Sequence, residues 1–215
     1  MTTHPRWTDE YWLPLMKLYM RRPEGVKPMY SRATVALSLE LHIPPQTLYQ
    51  QMFRIRRPDT ELLRRLTARY STNPKRLSRD VKTLRRMQGM GSGGSFYDGV
   101  EVHETFERDF RPIPSRPDLQ PVMLILTLDL YFRLTPATMV RETPEVAELA
   151  RLMRLKAQTV VEMLDAFQEC DPYLNRAPKA DKALADACHD VWQRYGNDDP
   201  ETLAALAAQM REYFK

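Results

Sequence analysis

Leu18-Tyr19-Met20-Arg21 returns later in the chain as Leu130-Tyr131-Phe132-Arg133. The same spacing pairs Leu37 with Leu149, Ile43 with Leu155, and Gln46-Thr47-Leu48 with Gln158-Thr159-Val160. It goes on to pair Met52 with Leu164, Ile55 with Phe167 and Asp59 with Asp171, and no gap is needed. Beyond an insertion in the second copy, Arg69-Tyr70 matches Arg194-Tyr195, and Asn73-Pro74 is echoed by Asp199-Pro200. Amphipathic period by itself does not fix Tyr, Gln-Thr and Asp at a single spacing. The pattern predicts a tandem duplication of one domain.

The repeated unit reads as helical. Thr8 is placed to cap a first helix, with Asp9 and Glu10 in its first turn and Trp12, Leu15, Met16 and Tyr19 at helical spacing. Ser31 caps a second helix, with Val35, Leu37, Leu39 and Leu41 as core. Pro44-Pro45 open a third, Asp59-Thr60-Glu61 a fourth and Asn73-Pro74 a fifth, running to Met87. The expected fold is therefore all-α: two related multi-helix, helix-turn-helix-like domains, the first over residues 1–88 and the second over 122–215. Residues 89–121 join them as a hinge and extended arm. Five of the seven glycines fall there, followed by Phe96, Tyr97, Val100, Val102, Phe106, Phe110 and a Pro-rich run. Six large apolar side chains predict an arm packed on a domain. Gly89-x-Gly91-x-x-Gly94 follows a helix and lacks a βαβ context, so it reads as a hinge and not as a dinucleotide fingerprint.

The formal charge of +4 conceals an asymmetry. Up to residue 95, Lys and Arg outnumber Asp and Glu by more than two to one; beyond it the acids outnumber the bases by three to two. A basic half joined to an acidic half points to a polyanionic partner for the first half. The alternative is a basic surface that binds an acidic protein, the second half included.

The third helix carries the sharpest signal. Leu48, Met52 and Ile55 recur at i, i+4, i+7 and form its core stripe. The opposite stripe reads Gln46, Gln50, Arg54, Arg57, with Thr47, Gln51 and Arg56 beside it. Gln bonds adenine bidentately in the major groove, Arg does the same to guanine, and both hold phosphates. In the second copy the core stripe persists as Val160, Leu164 and Phe167, whereas the front becomes Gln158, Glu162, Ala166, Glu169. The fold itself thus makes no demand for Arg on that face. Lys75, Arg79, Lys82 and Arg86 form a second basic stripe on the fifth helix, spaced as a phosphate rail.

Leu126-Thr127-Leu128-Asp129-Leu130-Tyr131-Phe132, Thr143 to Ala150, Lys156 to Leu164 and Asp171-Pro172 resemble the helical domain that precedes the catalytic domain in a group of bacterial HNH endonucleases. Trp7-Thr8-x-Glu10 and Leu18-Tyr19 resemble the start of the same domain, and the first copy as a whole resembles repressor-type helix-turn-helix proteins. The catalytic HNH part is missing: only His189-Asp190 with Asn197 gestures at it. The resemblance implies a nucleic-acid-associated helical module, not a nuclease.

The sequence therefore predicts a DNA-binding protein of helix-turn-helix type. Its nucleic-acid contacts are Gln46, Thr47, Gln50, Gln51, Arg54, Arg56, Arg57, Lys75, Arg79, Lys82 and Arg86, and its acidic second domain serves dimerisation or partner binding. The alternatives are an interaction scaffold and an accessory subunit of a nuclease system. No catalytic residue, metal site or cofactor is expected. The acidic cluster around His103 lacks ligand spacing, and Cys170 and Cys188 stand outside any CxxC pair. The absence of an apolar leader or a membrane-length apolar run predicts a cytoplasmic location.

Overall fold

The computed structural model describes residues 5–88, 105–174, 176–177 and 180–215. Eleven α-helices lie among them, with no strand; the isolated antiparallel bridge is between Ile113 and Arg116. The chain divides into two compact units, Met1–Glu107 and Arg108–Lys215.

The first unit holds α1 (Trp12–Tyr19), α2 (Arg32–Leu41), α3 (Pro45–Arg56), α4 (Glu61–Tyr70) and α5 (Pro74–Gln88). A short 3-10 turn over Asp9–Tyr11 leads into α1. The side chain of Thr8 makes no capping hydrogen bond there. Ser31 and Thr60 are true caps, accepting from the backbone N–H of Thr34 and Leu63 respectively, both at 3.3 Å. Pro45 opens α3, where its missing N–H costs nothing. α1 packs on α2, α3 and α5, and α4 bridges α3 and α5. Between them Leu15, Met16, Ile43, Leu48, Met52, Leu63, Leu77 and Val81 lose essentially all contact with water. Each such aliphatic side chain contributes about 1.5–3 kcal/mol. Leu39, expected in this core, is half-buried, as is Leu66, and Leu62 is exposed. Leu66 still packs against the core, between Leu63 and Tyr70.

A sixth helix, α6 (Thr105–Phe110), crosses the division between units. The segment expected as an extended arm over 89–121 is therefore helical in part. Phe110 is buried against Tyr213 with ring centroids 5.1 Å apart, while Phe106 is half-buried. Ile113 and Leu119 are buried as well, and the Ile113 N–H donates to the Leu119 carbonyl at 2.9 Å. The Pro-rich run thus belongs to the packed body of the second unit. Phe96, Tyr97, Val100, Val102 and the glycine string lie outside the described residues.

The second unit continues with α7 (Pro121–Tyr131), α8 (Pro144–Met153), α9 (Ala157–Cys170), α10 (Lys182–Tyr195) and α11 (Pro200–Met210). α7 is apolar all round, and every residue but Asp129 is buried. Its neighbours are α8, α9, α10 and α11. The Tyr131 hydroxyl donates to Asp171 Oδ2 at 2.6 Å, and its ring meets those of Phe167 and Trp192. Arg194 donates to Asp109 Oδ1 at 2.7 Å and so fastens the end of α6 to α10. Burial pushes the Asp109 carboxyl above the usual carboxylate range, against the pull of that arginine.

The two sets of helices correspond in detail. Under the 18-to-130 spacing, α2 starts where α8 starts and α3 where α9 starts. Each pair is joined through a left-handed residue at the same place, His42 with φ 53° and Arg154 with φ 59°. The hydrogen bonds that close the turns match too: Ile43 N–H to Ser38 O, 3.2 Å, and Leu155 N–H to Ala150 O, 2.9 Å. α1 meets α2, α3 and α5 as α7 meets α8, α9 and α11. Arg85 on α5 grips Glu40 on α2, and Arg211, just past α11, grips Glu148 on α8.

Candidate nucleic-acid interface

α3 needs one side against α1 and α2 and leaves the other to solvent. At about 100° per residue, Leu48, Met52 and Ile55 define the inner side, and they are buried. Gln46, Gln50, Arg56 and Arg57 are exposed and Thr47 is half-buried. Arg57 has already left helical geometry, at φ −132° and ψ 83°.

Two expected contact residues face elsewhere. Gln51 is only 7% exposed. Its position corresponds to buried Met163 in the second unit, so the inner stripe is one column wider than the apolar residues alone indicate. Its Oε1 accepts from Arg54 Nη1 at 3.1 Å. Arg54 also donates from Nε to Asp59 Oδ2 at 2.7 Å and from Nη2 to Asp59 Oδ1 at 3.0 Å. Its guanidinium carbon lies 5.2 Å from the centre of the Trp12 ring. Arg54 is thus a clip joining α1, α3 and the turn before α4. The hydrogen bond from Arg54 holds the Asp59 carboxyl below the usual carboxylate range. The matching Ala166, read from sequence as part of the second copy's front, is fully buried.

The residue that completes the exposed stripe is Phe53. It follows Gln46 and Gln50 at i+7 and i+3 and is 43% exposed. Tyr49 meets it edge to face, with ring centroids 5.1 Å apart.

The arginines of α4 and α5 sort into two groups. Arg85 makes a two-pronged pair with Glu40 at 2.6 and 2.7 Å. Arg64 and Arg65 share Glu61. Arg69 and Arg76 each lie 3.9 Å from Asp80, whose Oδ2 also accepts from the Tyr70 hydroxyl at 2.8 Å. Lys75, Arg79, Lys82 and Arg86 are exposed and form no ion pair with any described residue. They project from the side of α5 opposite Leu77 and Val81, which are buried.

In the second unit the corresponding α9 face presents Gln158 and Glu162 to solvent, with Glu169 half-buried. A cleft of about 690 Å³ beside it is lined by Glu162, Asp165, Glu169 and Asp181 together with Arg116 and Arg176. No group of three or more His, Cys, Asp or Glu among the described residues is placed to hold a metal ion. No helix among them is long and apolar enough to cross a membrane. Compared with known protein families, curated proteins and solved structures, the chain matches none.

Proposed function

We propose that the first unit binds duplex DNA, with α2 and α3 acting as a helix-turn-helix pair. The exposed side of α3 enters the major groove, and α5 lies along phosphates. The observation that carries this reading is the sorting of the basic residues. Most arginines of α4 and α5 are ion-paired within the unit, yet Lys75, Arg79, Lys82 and Arg86 lie along one side of α5 without an ion pair to any described residue. Four cations aligned without a partner among the described residues do nothing for the packing seen there, and they suit a polyanion. On α3, Gln46 and Gln50 supply the donor–acceptor pairs that read base edges, and Arg56 and Arg57 reach the flanking backbone.

The matching helix starts and left-handed turns support descent of both units from one duplicated domain. The second unit, with acids on its equivalent face, serves dimerisation or partner binding instead. The protein is a binder, not an enzyme.

The test is an electrophoretic titration of the full chain against random duplex DNA across a range of salt. Four to six phosphate contacts give a slope of about −4 to −5 in log affinity against log salt. Replacing Arg56 and Arg57 together with Glu should remove binding without lowering the melting temperature, because both side chains are free of the core. Absence of binding at low salt by the wild type, or undiminished binding by the double variant, would overturn the reading and favour an acidic protein as the partner.

A further inference from the structure

We infer that Phe53 senses the C5-methyl group of thymine, so that the α3 face prefers A·T-rich duplex; this rests on the DNA-binding reading above. The exposed stripe Gln46–Gln50–Phe53 carries no charge until Arg56 and Arg57 at its end. Glutamine matches the paired acceptor and donor of adenine N7 and N6 in the major groove. The thymine opposite each adenine presents an oxygen acceptor and a methyl group in that same groove, and the methyl is the one apolar feature there. A stripe of two glutamines and one aromatic ring therefore complements both halves of an A·T pair.

The ring is not there for the fold. The position matched to Phe53 in the second unit is Asp165, which is exposed, and the position matched to Gln50 is Glu162. The same helix packs in the same way with acids at both places. In the first unit Phe53 keeps 43% of its surface in water. Its ring neighbour is Tyr49, at 87° between planes, which holds it at one orientation instead of drawing it inward. Arg54, the residue after Phe53, is turned toward Asp59 and Trp12.

The full chain is titrated by fluorescence anisotropy with duplexes of one length: alternating A·T, the same sequence with deoxyuridine for every thymidine, G·C, and G·C with 5-methylcytosine. Deoxyuridine removes the methyl alone. Burying one methyl is worth about fourfold in affinity, so the thymine duplex should bind about fourfold tighter than the uracil duplex per methyl contacted. Phe53→Ala should bring that ratio to one while leaving the salt slope unchanged. Equal binding of thymine and uracil duplexes by the wild type overturns the inference, as does a ratio that survives Phe53→Ala. A larger gain from methylating cytosine than from thymine moves the methyl to another base and also overturns it. Should Phe53→Ala fail to fold, the wild-type ratio decides by itself. Failure to bind any duplex removes the DNA-binding reading as well, whereas salt-dependent binding without methyl discrimination removes this inference only.

Discussion

Replacing Arg54 with Ala should destabilise the first unit without any change to its exposed stripe. Three losses add up. The two-pronged pair with Asp59 is half in water, since the side chains are 25% and 50% exposed, so it is worth about 0.5–1 kcal/mol. The guanidinium over the Trp12 ring adds about 0.5–1 kcal/mol. The Gln51 side-chain oxygen, in a residue only 7% exposed, loses its donor, at a cost of about 1 kcal/mol. The sum is about 2–3 kcal/mol, which in a unit of this size lowers the melting temperature by about 10–15 °C. Thermal denaturation of the full chain, followed by far-ultraviolet circular dichroism, reads the shift. The pair also carries a pH signature. Asp59 titrates lower in the folded chain than when unfolded. Its stabilisation is therefore complete above the ordinary carboxylate value of about 3.9 and is lost as pH falls through the depressed folded value. The difference between wild type and Arg54→Ala should narrow in acid. A variant melting within about 2 °C of the wild type at neutral pH, or a difference that does not shrink in acid, would refute the clip.

Tyr131→Phe removes the 2.6 Å hydrogen bond to the Asp171 carboxylate and should cost the second unit about 1.5 kcal/mol, seen as a lower urea midpoint at constant slope. Burial pushes the Cys170 thiol up to about 11 and raises that of fully buried Cys188 as well. Iodoacetamide at pH 8 should therefore label both slowly, Cys170 should gain first as pH rises, and Cys188 should react only with denaturant present, as mass spectrometry of the peptides will show.

The helical class and the placement of α2, α3, α4 and α5 were legible because caps and prolines mark each start: Ser31, Pro45, Thr60 and Pro74 stand where sequence placed them. What sequence could not resolve was which flanking column of α3 turns inward. Gln51 and Arg54 are polar, and periodicity assigns polar residues to solvent. Their burial depends on Trp12 and Asp59, which approach from other elements. A hint was present all the same: Asp59 and Asp171 occupy matched positions, and each accepts a hydrogen bond from its own unit, from Arg54 in one and Tyr131 in the other. A polar residue at matched positions in both units signalled a structural acceptor. The place of Phe53 stayed open in the sequence, because an aromatic residue beside an apolar stripe suits a half-buried site and a thymine methyl alike. The helix at Thr105–Phe110 escaped because its six residues are too few to display a period.

α7 has a consequence for how the second unit comes into being. A helix apolar on every side has no stable surface to show water, so it cannot persist ahead of its surroundings. Its last partner, α11, starts roughly eighty residues after α7 does. During synthesis α8, α9 and α10 emerge first and cover part of α7, and its cover is complete only when α11 follows. A chain stopped before α11 would leave one side of this apolar helix open to water, a surface prone to aggregation.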